Sequence, residues 1–323
     1  MASIDWVRRI YGDGWHNAFT DMVEWRGRYY VCFRNGLTHV SPEGKIVVIS
    51  SADLHDWRRR AVPINTTGDD RDPTIACSQD RLFLYCGSSY WSGLTSRYDG
   101  DGTRILRNWC SYTDDGVTWS EPQQVYREGF WLWRVERFGE EFYALAYGRR
   151  SGGAGGDDTK VRLLRSADGL DWVDVSIVGP GNEAAFRRTP DGALEVLVRG
   201  ADEATSTVAI ADPPYRQWKT RPIGEVVPGP NLIVQGKALY AIGRQHLRGA
   251  DGTITDRRTS IWRIDRQREH VLDLPSSGDT SYCGVVERDD GTVLISYYSQ
   301  HEVAYGEKHY TYPDNIYLAQ IRL

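Results

Sequence analysis

The chain has no apolar run long enough to cross a membrane as a helix, which excludes a helical membrane anchor. Its opening, Met1-Ala2-Ser3-Ile4-Asp5-Trp6, lacks the basic segment and apolar core of a secretory leader, so a cytoplasmic location is expected, or a secreted one if a leader has been removed. Positive charge is not in excess: 39 Lys and Arg stand against 44 Asp and Glu, and a net charge of −5 argues against nucleic acid or an anionic membrane as partner. Cysteine is scarce and odd in number, with Cys32, Cys77, Cys86, Cys110 and Cys283 mostly inside apolar segments. They read as small buried hydrophobes in a reducing compartment rather than as a disulfide framework or a metal site. A Pro/Ser-rich linker is also missing, so residues 1–323 are expected to form one domain. The Gly-rich stretch Ser151-Gly152-Gly153-Ala154-Gly155-Gly156 is followed by no Lys-Ser/Thr and opens no helix, which leaves a loop tip rather than a phosphate cradle. No cofactor and no metal are expected.

What the chain does have is repetition. A short apolar strand after a polar turn recurs as Tyr29–Arg34, Leu82–Gly87, Phe142–Tyr147, Leu194–Arg199, Leu239–Arg244 and Val293–Tyr298. Turns such as Arg26-Gly27, Pro190-Asp191-Gly192 and Asp289-Asp290-Gly291 make each the second strand of a hairpin. A supersecondary unit repeated about every 50 residues predicts a β-propeller, and six hairpins predict six blades. Behind the third strand comes an acidic turn closed by tryptophan: Ser51-Ala52-Asp53-Leu54-His55-Asp56-Trp57, Ser111-Tyr112-Thr113-Asp114-Asp115-Gly116-Val117-Thr118-Trp119 and Ser166-Ala167-Asp168-Gly169-Leu170-Asp171-Trp172. Asp there can bond nearby backbone N–H groups while Trp packs between blades, so these turns are expected to build scaffold and not chemistry. The fourth unit keeps a worn copy, Asp212-Pro213-Pro214-Tyr215-Arg216-Gln217-Trp218, and the fifth has lost it.

The two ends complete each other. The sixth unit stops at a third strand, Asn315–Leu323, while Asp5-Trp6-Val7 repeats the box-ending pattern of Asp56-Trp57-Arg58 and Asp171-Trp172-Val173. The fold class is therefore expected to be all-β, a six-bladed propeller closed by an N-terminal strand that completes the last blade.

The Ser-x-Asp-x-Gly-x-x-Trp turns resemble the Asp-boxes, or BNR repeats, of the sialidase superfamily, and the resemblance of repeats runs over nearly the whole chain. Asn182-Glu183-Ala184-Ala185-Phe186, with Leu197-Val198-Arg199 after it, is similar to the sialidase segment carrying the catalytic glutamate and an arginine that binds the substrate carboxylate. Ser281-Tyr282-Cys283-Gly284-Val285 is similar to the segment carrying the tyrosine nucleophile. The chain departs from the family in the first blade. Where a sialidase has Tyr/Phe-Arg-Ile-Pro, the strand reads Ala18-Phe19-Thr20-Asp21, and where the family's acid aspartate should lie the loop after the first hairpin offers His39.

The first strand of each propeller blade lines the central channel, so the residues at its start converge on one pocket. Those residues are Asp21, Asp72, Trp133-Arg134, Glu183, Asn231 and Tyr282. Such a ring can supply an acid, a base or a nucleophile for breaking a glycosidic bond. The plainer alternative is that Asp21 and Glu183 only fix the backbone at a channel mouth. Tyr282 as a nucleophile needs a neighbouring acceptor such as Glu183, because a free phenol is protonated at neutral pH. Arg34, Arg199 and Arg244 end equivalent second strands and suggest an anionic substrate group, or else balance the carboxylates. His39, near His16 and Trp15, is a candidate acid/base group. Asp72-Pro73 is similar to the Asp-Pro strand starts of five-bladed glycosidases. Tyr90-Trp91 and Phe130-Trp131-Leu132-Trp133 could stack on sugar faces or pack between blades. The expected activity is that of an exo-acting glycoside hydrolase on an acidic or deoxy sugar, with a carbohydrate as the partner. A polysaccharide lyase, an inverting hydrolase and a noncatalytic glycan-binding propeller are the alternatives.

Overall fold

The computed structural model describes residues 2–91, 104–148, 160–201, 204–303 and 313–323. The Gly-rich stretch 151–156 lies outside them. Among the described residues, twenty-four strands form six four-stranded antiparallel sheets. In chain order β1 (Ser3–Tyr11) comes first, and blade one follows as β2 (His16–Trp25), β3 (Arg28–Gly36), β4 (Lys45–Ser51) and β5 (Arg58–Ile64). Blade two is β6 (Asp69–Cys77), β7 (Leu82–Trp91), β8 (Arg104–Thr113) and β9 (Gln123–Val125). Blade three is β10 (Phe130–Phe138), β11 (Glu141–Gly148), β12 (Lys160–Ser166) and β13 (Val173–Pro180). Blade four is β14 (Ala184–Arg188), β15 (Leu194–Val198), β16 (Thr207–Ala211) and β17 (Lys219–Pro222). Blade five is β18 (Asn231–Gln235), β19 (Ala238–Arg248), β20 (Ile254–Arg263) and β21 (Glu269–Leu274). Blade six is β22 (Ser281–Glu287), β23 (Val293–Ser299) and β24 (Asn315–Arg322), with β1 as its outer strand.

The closure expected from the ends of the chain is present: β1 runs antiparallel to β24, with Ser3 opposite Arg322 and Tyr11 opposite Ile316. Trp6 and Ile10 pack toward blade one, whereas Ile4 and Val7 join the apolar layer between blades five and six. The first strand is thus held by both neighbours of the seam.

Strand side chains alternate between faces, so each blade feeds two apolar layers, one against each neighbour. Val31, Phe33 and Ile49 face blade six, while Cys32, Ile46 and Val48 face blade two. Phe83, Tyr85 and Cys110 meet Leu132 and Phe142 between blades two and three. Phe186 and Trp262, both fully buried, anchor the layers on either side of blade four. Removing such a side chain from water contributes roughly 1.5–3 kcal/mol. All five cysteines are free thiols, and four are buried.

The acidic turns are built alike. Asp53 Oδ1 accepts the backbone N–H groups of His55 and Asp56 at 2.9 Å, Asp115 Oδ1 those of Val117 and Thr118 at 2.7 Å, and Asp168 Oδ1 those of Leu170 and Asp171 at 2.9 Å. Those hydrogen bonds hold the Asp53 carboxyl down at about 2. Trp57, Trp119 and Trp172 pack onto the interblade layers, and no side chain of these turns lines the two cavities described below.

Candidate active site

Four inner strands carry a β-bulge near their first residues. The register slips between Ala18 and Asp21 in β2, Arg71 and Thr74 in β6, Leu132 and Arg134 in β10, and Ser281 and Gly284 in β22. A bulge sets two residues against one and turns a side chain out of the sheet alternation. The displaced residues include Phe19, Asp72, Trp133 and Tyr282, and with Thr20, Pro73 and Arg134 they line one small cavity. Phe19 (φ 59°), Asp72 (φ 48°) and Tyr282 (φ 50°) are in the left-handed region, as is Ser281 (φ 93°). Holding non-glycine residues there costs roughly 1–3 kcal/mol each. The ring spends that strain on aiming side chains at a common point.

Glu183 and Tyr282 meet there. The Tyr282 hydroxyl donates to Glu183 Oε1 at 2.9 Å, and Arg199 Nη1 stands 2.9 Å from the same oxygen. The other oxygen, Oε2, accepts the Gly229 N–H at 2.7 Å. Gly229 is required, since its φ is +58° and a Cβ would stand 2.6 Å from the Tyr282 ring. Burial, and next the Glu183 charge, push the Tyr282 phenol well above its ordinary value, while Arg199 and Arg244 oppose them. Arg199 in turn is raised by Glu183 against its own burial. Trp133 and Phe19 meet the Tyr282 ring edge-on at centroid distances of 5.9 and 5.1 Å, and the Arg244 guanidinium lies 5.2 Å from its centre.

Asp72 joins this group from blade two. Burial pushes its carboxyl up to about 7, Arg71 works against that, and Glu183 and Asp69 add to it. It is a carboxyl that stays protonated close to neutrality.

The remaining sequence candidates are not assembled there. Asp21 lies deeper in the channel, where Arg134 Nη1 stands at 2.8 Å, Thr74 Oγ1 donates at 2.8 Å and Ile75 N at 3.0 Å. Its carboxylate is saturated by scaffold contacts and borders a second cavity of about 480 Å³ with Glu24, Glu136 and Glu287, residues from the far ends of the inner strands. Asp21, expected at the site, is thus placed as a brace between blades one, two and three, apart from the group around Tyr282. Arg134 touches both levels, since it lines the smaller cavity while pairing with Asp21. Arg34 is fully buried: its Nε pairs with Asp69 Oδ1 at 2.7 Å, and its other nitrogens donate to Thr38 O and to Ser41. It ties blade one to blade two through these buried contacts. Asn231 donates to Cys283 O and accepts from Leu232 N, a buried amide with both ends in use. Trp131 is buried against Gly87, where a Cβ would meet its ring at 2.4 Å, so it packs between blades and offers no sugar platform.

His39 stands apart from the group around Glu183 and Tyr282. Its Nδ1 lies 2.6 Å from Asp279 Oδ2, and burial, with Arg71 and His16 nearby, pushes the ring down to about 3. Arg244 binds the same aspartate, with Nη2 2.7 Å from Oδ1, and also donates to Thr280 O and the Tyr298 hydroxyl. His16 Nε2 lies 3.1 Å from Asp279 Oδ2 and 3.0 Å from Asp314 Oδ2. Burial disfavours the charged His16 ring, yet Asp314 and Asp279 raise it to about 8.

Sequence reasoning missed Asp279, Asp314, Arg71 and Phe19. Arg71 is buried, pairs with Asp69 at 3.1 Å and lies 4.7 Å over the Phe19 ring. A signal was available: Asp69 precedes Asp72 by three residues as Asp279 precedes Tyr282, both after glycine and both binding the arginine that ends the previous blade's second strand.

No family model matches the chain, and no curated protein matches it in sequence. Solved structures share its fold. Trypanosoma rangeli sialidase aligns with 99% of this chain at 14% identity and a TM-score of 0.67. Another structure of that enzyme holds 2,3-difluorosialic acid as a covalent intermediate. Phage phi92 endosialidase aligns with 99% of the chain at 12% identity and TM-score 0.65, and the Hadza microbial sialidase Hz136 with 95% at 13% and 0.65. The chain spans 59% of the T. rangeli enzyme, 69% of the phage protein and 66% of the Hadza protein. The architecture is a six-bladed propeller like that of these sialidases.

Proposed function

We propose that the protein is an exo-acting glycoside hydrolase that cleaves an acidic sugar from a glycan end, with Tyr282 as nucleophile, Glu183 as its base and Asp72 as general acid. The observation that carries this reading is the 2.9 Å hydrogen bond from the Tyr282 hydroxyl to Glu183, beside a cavity that Tyr282 shares with Asp72. A phenol pushed upward by burial cannot ionise in advance, so its proton passes to Glu183 as the oxygen attacks. The Tyr282 oxygen forms the new bond to the anomeric carbon, the glycosidic bond breaks, and Asp72 gives its proton to the departing oxygen. In the second half Asp72 takes a proton from water, the water oxygen attacks the anomeric carbon, and the phenolate leaves and recovers its proton from Glu183.

Three guanidiniums support an anionic substrate. Arg71, Arg199 and Arg244 each interact electrostatically with Tyr282, so an acidic group on a sugar held there meets positive charge on several sides. The sialidases of similar fold bind sialic acid and its analogues, which favours a carbohydrate as ligand. The test is turnover of acidic-sugar aryl glycosides and acidic oligosaccharides, read as reducing sugar and as anomeric configuration by NMR. Release with retention that Glu183→Gln and Tyr282→Phe abolish supports the reading. An ultraviolet-absorbing unsaturated uronate would make the protein a lyase, and binding without product would make it a glycan-binding module.

A further inference from the structure

Beside the proposed active site, two imidazoles and a carboxylate converge. His16 Nε2, His39 Nδ1 and Asp279 Oδ2 lie within 4.8 Å of one another, at 3.1 Å and 2.6 Å from the histidines to the shared oxygen. Asp314 Oδ2 stands 3.0 Å from the same His16 nitrogen. Protons alone serve this arrangement poorly. One ring N–H of His16 faces two carboxylates, and the fully buried Asp314 keeps its second oxygen, Oδ1, without a hydrogen-bond partner. A buried orphan of this kind costs about 1–3 kcal/mol, more when it carries charge.

We propose that His16, His39 and Asp279, with Asp314 as fourth ligand, form a binding site for a zinc-class divalent cation that clips blade six to blade one. Once a cation displaces the His16 proton, two neutral imidazoles with carboxylate oxygens are a donor set for zinc and its first-row neighbours, and imidazole disfavours calcium or magnesium. Tetrahedral zinc with bonds near 2.0–2.1 Å sets its donors about 3.3 Å apart; His16 Nε2 already stands 3.1 and 3.0 Å from the two carboxylate oxygens, while His39 Nδ1, 2.6 Å from Asp279 Oδ2, has to move outward by about 0.7 Å. The second sphere is already oriented: Asp279 Oδ1 is fixed by Arg244 at 2.7 Å and by the Tyr298 hydroxyl at 3.0 Å. With two carboxylates against one arginine, a divalent charge is balanced to within one unit.

The placement explains what such an ion would do. His16 opens β2 and His39 follows β3, both in blade one, whereas Asp279 precedes β22 and Asp314 precedes β24 in blade six. Backbone contacts already meet at this point, since Asp314 N donates to Trp15 O and His16 bridges Asp314. The His39 ring lies 5.2 Å from Phe19, and its side chain is 18% exposed, which gives an ion a way in. Arg244 binds Asp279 and flanks Tyr282, so filling the site would also fix the wall of the active site.

The test uses the full chain, stripped with a strong chelator and then titrated with Zn²⁺ or Co²⁺. We expect about one cation bound per chain by elemental analysis, d–d absorption bands of four-coordinate Co²⁺, and a melting temperature that falls on chelation and returns with Zn²⁺. His39→Ala alters a partly exposed ring, and it should weaken Zn²⁺ binding at least about 100-fold, as should Asp279→Asn, while Glu183→Gln binds as the wild type does. If Asp279→Asn does not fold, His39→Ala decides alone. No stoichiometric cation together with a chelator-insensitive melting temperature would overturn the proposal, and so would a His39→Ala protein that binds Zn²⁺ like the parent.

Discussion

Asp72→Asn should make the protein less active and more stable, and the size of the second effect can be worked out. In the folded chain the Asp72 carboxyl keeps its proton up to about 7, against an ordinary 3.8. Between those values the native state holds a proton that the unfolded chain has lost, so stability falls as pH rises from about 4 to about 7 and is level above. Each pH unit is worth about 1.4 kcal/mol, which sets a ceiling of about 4 kcal/mol for the native state's cost of keeping this group charged at pH 8. Asparagine cannot charge, and it tolerates the left-handed backbone found at Asp72, so the substitution removes the charge with little new strain. The assay is thermal melting of both proteins from pH 4 to pH 8. Other titrating groups appear in both curves and cancel in the difference. At roughly 2 °C per kcal/mol for a chain of this size, the variant should gain roughly 5–8 °C on the wild type across that range, with nearly all of the gain below pH 7. Two melting curves that stay parallel from pH 4 to pH 8 would refute the reasoning, because Asp72 would then titrate like a surface carboxylate.

Other outcomes follow from the same geometry. Hydrolysis should decline as pH rises through about 7, where Asp72 loses the proton it must donate, and a rate profile flat from pH 6 to pH 9 would remove it as the acid. Glu183→Gln and Tyr282→Phe should each leave the fold intact and lower turnover by roughly 10²–10⁴, measured as kcat on an acidic aryl glycoside. Arg34→Met should cost about 1–3 kcal/mol because Asp69 Oδ1 loses its buried partner while Arg71 still holds Oδ2, and the KM of the folded fraction stays unchanged. A raised KM at unaltered melting temperature would return Arg34 to the substrate site.

The fold was legible because a propeller writes its period into the chain. Six hairpin signals and the Asp5-Trp6-Val7 remnant were enough to place β1 beside β24. Glu183, Arg199 and Tyr282 were legible as well, through spacing that matches a known pattern, and they do meet. The rest depended on things that spacing does not encode. A bulge shifts which residue faces the channel, so Asp72 rather than Asp21 reaches Tyr282, although both sit near the start of an inner strand. Whether an arginine faces substrate or scaffold depends on its neighbour across the blade gap. Arg34 and Arg244 each found an aspartate of the next blade, and only Arg244 also reaches the Tyr282 ring. The sequence offers His39 as an acid/base candidate, but the partner that holds it, Asp279, lies 240 residues away.

The pairing of β1 with β24 also sets an order of events for the growing chain. Ser3 finds its partner only when Arg322 has been made, so the earliest strand stays an open edge while every other blade can already form. The ring therefore locks in its final step rather than tightening gradually, and the His16 and Asp314 seam comes together in that same step. Until then His16 and His39 stand apart from Asp279 and Asp314, and an ion that needs all four would bind only to a closed ring and so report on completed assembly.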